Sequence, residues 1–144
     1  IKEDPTYLQL QMKLKKDIVS RFSNSQLKYN RKDIRDVFYT LKSELLSIIQ
    51  TFYANEVKIG NILERLLINS YTEAMDKLVE EVKHVKNIGA YFRTLLRNAM
   101  FNFLLTVPGE EFVTFLGCIN AWGLKFNVNK DLLLYRRRQE GFLI

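Results

Sequence analysis

The sequence is poor in the side chains on which many catalytic, metal and disulfide sites depend. It has one cysteine and one histidine among 144 residues. A single cysteine excludes an internal disulfide and a zinc site built on several thiolates. A single histidine excludes most catalytic and metal arrangements that use two imidazoles. One lone thiol is typical of a reducing compartment, so we expect a cytoplasmic location.

Turn-forming residues and long apolar runs are also scarce. Two prolines and six glycines leave few turn formers, which favours a small number of long elements. No run approaches the roughly 18 apolar residues that a transmembrane helix needs, so no transmembrane segment is expected. The first residue is Ile1, in a charged rather than apolar segment. We therefore expect no signal peptide and interpret the sequence as a fragment of a longer protein.

Apolar residues recur at helical spacing nearly throughout the chain. From Ile34 to Phe52 they follow one stripe, behind Asn30 as a potential N-cap, which predicts a helix over about Arg31–Ala54. Further helices are predicted from Pro5 to a break at 23–25, from about Val57, from a capping box at 70–73, over 88–105, from about Glu110 and over 130–139. The fold class is therefore all-α: a single compact domain over 1–144, a bundle of six to eight helices, with one possible short strand at 124–128.

Positive charge is in excess and unevenly distributed. The 22 lysines and arginines against 16 acids give a net charge of +6. Between Pro5 and Lys32 seven basic residues stand against one acid, and the stretch 82–109 has no acid at all. Such clustering favours an anionic partner, of which nucleic acid is the first candidate and DNA the favoured form.

Three groups of basic residues could contact phosphates. Arg93 and Arg97 are spaced i, i+4 and share a helix face, with Lys86 just before that helix. Tyr29 and Tyr39 lie among basic residues and could stack on bases, although a tyrosine at the edge of a core is commoner. The third group, beside Tyr135, is a basic tip or simply the cationic last turn that helices favour. The candidate nucleic-acid-binding residues are Lys13, Lys15, Lys16, Arg31, Lys32, Arg35, Lys86, Arg93, Arg97, Arg136, Arg137 and Arg138.

Nothing in the sequence marks a catalytic centre. His84 is interpreted as an exposed residue at a helix end, and Cys118 as a small core residue. Glu73, Asp76 and Glu80 share a helix face that could hold a divalent metal, but a solvated face with local ion pairs is favoured. We expect a non-enzyme without cofactor or metal.

One segment resembles a known family. The residues 85–98, read as VKNIGAYFRTLLRN, with Tyr71 and Ala74 in the preceding helix, resemble the C-terminal helical region of replication initiators and replisome organisers of plasmids and phages from Gram-positive bacteria. The similarity covers about residues 70–98. It departs after Asn98, where the chain is more apolar than that pattern, and no winged-helix domain precedes it. The resemblance implies a role in DNA replication, through binding to origin or single-stranded DNA or to a helicase loader.

Two functional hypotheses follow. The first is a DNA-binding module associated with replication, whose basic helix faces contact phosphates. The second is a protein-interaction or self-association module, because the C-terminal half is rich in aromatic residues that could line an apolar groove: Phe101, Phe103, Phe112, Phe115, Trp122 and Phe126. One continuous basic face would favour the first, and a large exposed apolar patch would favour the second. A peripheral membrane role ranks third, because the lysines of the first helix are too irregularly spaced for an interfacial face.

Overall fold

The structure is a computed structural model that describes residues 5–54, 61–81, 84–110, 112 and 130–141. Five helices account for most of these residues, and none of the described residues forms a strand. The helices are α1 (Pro5–Ser23), α2 (Arg31–Ala54), α3 (Asn61–Val79), α4 (Ile88–Thr106) and α5 (Lys130–Gln139). The prediction of an all-α bundle is thus confirmed, with fewer helices among the described residues than the six to eight expected.

The connection between α1 and α2 follows from short polar side chains. Residues 24–30 lie between the two helices, at the break predicted around Ser23. Asn30 Oδ1 accepts a hydrogen bond from the Asp33 backbone N–H at 2.9 Å, and Asp33 Oδ2 accepts from the Asn30 N–H at 3.1 Å. This reciprocal pair satisfies two donors that the first turn would leave open, and so fixes the start of α2.

The third helix is continuous where the sequence predicts a new start. The capping box at Ser70–Glu73 was expected to begin a helix, but α3 runs from Asn61 through it to Val79. Ser70 is buried in the middle of a row of buried residues at helical spacing, namely Leu66, Leu67, Tyr71, Ala74, Met75 and Leu78. The expectation of a break was wrong, because an uninterrupted helix buries this whole row at once.

The fourth helix is the centre of the bundle. It packs most extensively on α3, then on α2, and it also contacts α5. Asn87 caps its N-terminus by accepting from the Ala90 N–H at 3.1 Å. Seven side chains of α4 are buried: Ile88, Phe92, Leu96, Ala99, Met100, Leu104 and Leu105. The prediction of a central helix over 88–105 is confirmed within one residue.

The core joins all five helices. One cluster of buried side chains includes residues of α1, α2, α3 and α4, together with Leu133 of α5 and Phe112. Gly89 sits where α4 crosses α2 closely, since a Cβ there would lie 3.2 Å from Thr40 Oγ1. The predicted helix from about Glu110 begins within the described residues, since 109, 110 and 112 are helical and the Phe112 N–H donates to the Pro108 carbonyl at 2.8 Å. Its predicted continuation, the predicted strand at 124–128, and Phe115, Cys118, Trp122 and Phe126 fall outside the described residues.

Candidate nucleic-acid interface

The outward face of α2 carries only positive charge. Arg31, Lys32, Arg35 and Lys42 are all exposed, and Lys32, Arg35 and Lys42 follow i, i+3, i+10 spacing along one side of the helix. Tyr39 lies between Arg35 and Lys42 on the same side. We call these five residues the α2 basic face. It extends over about 16 Å of helix, at 1.5 Å per residue.

The three acids of α2 lie away from its exposed lysines and arginines, and this separation makes the charge of the outer face positive. Asp33 is taken up by the cap at Asn30, Asp36 lies toward the start of α4, and Glu44 is buried. Asp33 and Asp36 are partly buried and Glu44 is buried, so no described carboxylate of α2 is fully exposed. The fully exposed charges of the α2 basic face are therefore all positive, which suits contact with a phosphate backbone.

The three lysines of α1 are exposed but do not form a single group. Lys15 leans toward α2, with its ammonium 5.1 Å from the ring centre of Phe38, and so borders the α2 basic face. Lys13 and Lys16 line a cavity on the opposite side of α1, toward α3. Only Lys15 therefore extends the α2 surface.

An open cavity of about 450 Å³ lies between α2 and the start of α4. Its lining is mostly polar, and it consists of Asp36, Tyr39, Thr40, Ser43, Asn87, Gly89, Ala90 and Arg93. Lys86, just outside it, is exposed. The volume falls within the roughly 300–1,000 Å³ of small-ligand sites in proteins. Tyr39 belongs both to this cavity and to the α2 basic face, and so joins the two.

Arg93 and Arg97, the pair most strongly suggested by the sequence, are engaged inside the protein. Arg93 Nε lies 3.2 Å and Arg97 Nη2 3.4 Å from Glu44 Oε1. The Glu44 side chain is 4% exposed, whereas that of Arg93 is 43% exposed. Their i, i+4 spacing thus serves to surround a buried carboxylate of α2. Arg93 keeps enough exposure to reach a ligand in the cavity, but both arginines also hold α4 against α2.

The predicted basic tip on α5 needs one correction. Arg136 and Arg138 are exposed, but Arg137 is fully buried. Its Nη1 donates to the Leu104 carbonyl at 2.6 Å and to the Leu105 carbonyl at 3.2 Å, and its guanidinium carbon lies 4.1 Å from the Phe112 ring centre. Burial lowers the pKa of Arg137. This arginine satisfies carbonyls at the end of α4, which have no partner within their own helix, so it is not available to phosphates.

The tyrosines with described side chains divide into a partly or fully buried group and an exposed group. Tyr71 donates to Asp17 Oδ2 at 2.6 Å, Tyr91 donates to Glu81, and Tyr29 stacks on Phe22 with ring centres 4.2 Å apart. The pKa of each of these three is raised, for Tyr29 and Tyr71 mainly by burial and for Tyr91 mainly by the Glu81 hydrogen bond. Tyr39 and Tyr135, by contrast, are 58% and 56% exposed. Of the two tyrosines suggested by the sequence, only Tyr39 therefore offers a ring to solvent.

The other polar residues considered in the sequence make contacts within the protein. His84 is exposed, beyond the end of α3 rather than within it, with its ring edge-on to Tyr29 at 5.5 Å between ring centres. Asp76 pairs with Arg21, and Glu73 with Lys77 at 3.4 Å. Within the described ranges, no group of three or more histidine, cysteine or carboxylate side chains is arranged to hold a metal ion. The helices of that same part of the chain also include none with the length and apolar character to cross a bilayer.

Comparisons with known proteins add no relative to this picture: no family model matches the chain, and no curated protein or solved structure matches it. The resemblance of residues 70–98 to replication proteins therefore stays a prediction. In the structure this segment comprises the end of α3, the connection to α4 and the first half of α4.

Proposed function

We propose that the chain is a non-enzymatic helical module that binds nucleic acid, DNA in preference, as part of DNA replication. The observation that carries the proposal is the α2 basic face, on which four cations are exposed and no described carboxylate of α2 is. Lysine and arginine side chains in this arrangement neutralise phosphates and release counterions, without chemistry on the substrate. The link to replication rests on the resemblance of residues 70–98 alone.

The residues assigned to phosphate contact follow from their surroundings. The central set is the cations of the α2 basic face with Lys15 at its border, and Lys86 and Arg93 stand at the adjoining cavity. Lys13 and Lys16 on the far side of α1, and Arg136 and Arg138 on α5, form separate secondary contacts. Arg97 and Arg137 are assigned to the fold.

The test is fluorescence anisotropy with labelled single- and double-stranded oligonucleotides across a salt series. The wild type should bind at micromolar concentration or tighter, and less tightly as salt rises. The triple variant K32Q/R35Q/K42Q should lower the slope of log K against log salt by about 2–3 units, since each phosphate contact contributes about 0.7–0.9.

A matched pair of single variants controls for net charge. Lys42→Gln and Lys77→Gln remove one exposed lysine each, but Lys77 lies on α3, where it pairs with Glu73. Only Lys42→Gln should weaken binding. The proposal fails if no oligonucleotide binds at about 50 mM salt, or if the triple variant binds as tightly as the wild type.

A second candidate, self-association, is favoured by a different surface. Leu8, Met12 and Val19 are exposed at i, i+4, i+11 along one side of α1. Exposed Lys15 and Lys16 flank this stripe and would meet their counterparts across an interface between two copies. Because salt screens that repulsion, self-association should strengthen with salt, opposite to nucleic-acid binding. Sedimentation velocity over a salt series tests it, with Met12→Ser as the weakening variant. A monomer under all conditions would exclude this candidate.

A further inference from the structure

Among the tyrosines with described side chains, two are exposed, and both stand among exposed cations. Tyr39 lies between Arg35 and Lys42 on α2, and Tyr135 is followed by Arg136 and Arg138 on α5. The other tyrosines with described side chains, at 29, 71 and 91, are partly or fully buried in ring or hydrogen-bond contacts. Tyr39 makes a ring contact with Phe38, at 6.3 Å between ring centres, and the Tyr135 hydroxyl accepts a hydrogen bond from Gln139 Nε2 at 2.6 Å. Both side chains stay more than half exposed among cations, and contact with a ligand is one reason for such a placement.

Base stacking is such a reason, and it distinguishes one form of nucleic acid from another. A duplex presents mainly phosphates to a convex protein surface and keeps its base faces stacked inside. A single strand exposes base faces, on which aromatic side chains stack without regard to sequence. A tyrosine between phosphate-binding cations therefore fits a single strand better than a duplex.

The cavity beside Tyr39 offers hydrogen-bond acceptors that suit a base, next to the guanidinium group of Arg93. Asp36 contributes a carboxylate to its lining, and Ser43 a hydroxyl. A carboxylate repels a phosphate but accepts hydrogen bonds from the exocyclic amino groups of bases. The cations of the α2 basic face lie outside this lining, and Arg93 within it can contact a phosphate next to the base. The base and the phosphates bound by the α2 basic face thus have separate places beside the same tyrosine ring.

From this arrangement we propose that the chain binds single-stranded DNA in preference to duplex, with Tyr39 stacking on a base at the α2–α4 cavity and the α2 basic face contacting the flanking phosphates. The inference rests on the proposed function and deepens it by naming the form of nucleic acid.

The test uses the whole chain with a labelled 15-residue oligothymidine and a duplex of equal length. Tyr39→Ala should weaken single-strand binding about 5- to 150-fold, the range for loss of one stacked base. Tyr39→Phe keeps the ring and should bind within about twofold of wild type. Neither variant should alter the salt slope, since neither removes a charge. Asn69→Ala, an exposed truncation on α3, is the control for surface changes in general.

A second readout detects stacking directly. A single strand with one 2-aminopurine should lose fluorescence when bound by the wild type or Tyr39→Phe, and lose less with Tyr39→Ala. Far-UV circular dichroism should be unchanged, because the side chain is exposed. Equal binding of duplex and single strand, or wild-type affinity in Tyr39→Ala, would overturn the inference. If K32Q/R35Q/K42Q nevertheless weakens binding, the proposed function survives that result. Absence of all oligonucleotide binding would refute both.

Discussion

Simultaneous removal of Arg93 and Arg97 should destabilise the fold by more than the sum of the two single substitutions. Both guanidinium groups approach the same oxygen of Glu44, at 3.2 and 3.4 Å. Glu44 itself is buried on α2, whereas both arginines are partly exposed. Loss of the arginines therefore affects mainly the buried carboxylate. It keeps one of these two cations when a single arginine is replaced, and loses both in the double variant.

The expected magnitudes follow from that asymmetry. Arg93→Gln or Arg97→Gln alone should cost about 0.5–1 kcal/mol, because the remaining arginine still neutralises Glu44 and the lost pair was partly exposed to solvent. The double variant leaves a buried carboxylate without either of these arginines, a loss that typically costs about 3–5 kcal/mol. The double substitution should thus exceed the sum of the singles by at least about 1 kcal/mol.

Urea unfolding followed by far-UV circular dichroism measures these free energies. Lys42→Gln, an exposed cation of α2, is the control and should change the free energy of unfolding by less than about 0.5 kcal/mol. Adding Glu44→Gln to the double variant should restore part of the loss, since no buried charge then remains. Additive costs, or a double variant as stable as either single, would show that these arginines do not support Glu44. An Arg93/Arg97 variant that loses DNA binding must therefore be checked for folding first.

Two further predictions concern buried hydrogen bonds. Arg137→Gln should lower the free energy of unfolding in urea by about 3 kcal/mol, because it removes two charge-assisted hydrogen bonds to the α4 carbonyls. The control Arg136→Gln should change it by less than about 0.5 kcal/mol. Equal effects of the two variants would contradict the assignment of Arg137 to the fold. Tyr71→Phe should cost about 1.5–3 kcal/mol at neutral pH, through loss of the bond to Asp17, and should reduce the alkaline loss of stability. The pKa of Tyr71 is raised in the folded state, so above about pH 10 the unfolded chain releases a proton that the native state keeps. The free energy of unfolding therefore falls by up to about 1.4 kcal/mol per pH unit. Parallel stability–pH curves for wild type and Tyr71→Phe above about pH 10 would refute this.

The helices were predictable where local signals and apolar spacing agree. α2 begins and ends where the sequence indicates, because Asn30 supplies the cap and one stripe continues for the length of the helix. α4 likewise starts after Asn87. At Ser70 the two kinds of signal conflict: the capping pattern predicts a start, but the buried row runs through it. Burial of that row outweighs a local cap, so an apolar pattern on both sides of a capping box indicates an uninterrupted helix.

The assignment of the arginines could not be made from spacing alone. An i, i+4 pair suits two phosphates as well as one carboxylate, and only the neighbouring helix decides between them. One signal was present, however: Glu44 lies within the apolar stripe of α2, three residues after Leu41 and four before Ile48. An acid in that position is buried by the helix, and a buried acid needs cations. For Arg137 no comparable signal exists, because its partners are backbone carbonyls of another helix.

The pairing of Glu44 with arginines of α4 also helps to explain why the exposed cations of the α2 basic face stay available to bind nucleic acid. Had the acids of α2 been spread around the helix, its lysines and arginines would have found partners along their own face, as Lys77 does with Glu73 on α3. Instead α2 turns Asp36 and Glu44 toward α4, and α4 supplies the arginines that Glu44 requires. The cations of the outer face are left with solvent as their neighbour. A helix whose acids lie away from its exposed bases is positively charged on one side whatever the net charge of the chain. The affinity for DNA should therefore follow the charge of the α2 basic face, and compensating its loss by removing acids on α3 should not restore binding.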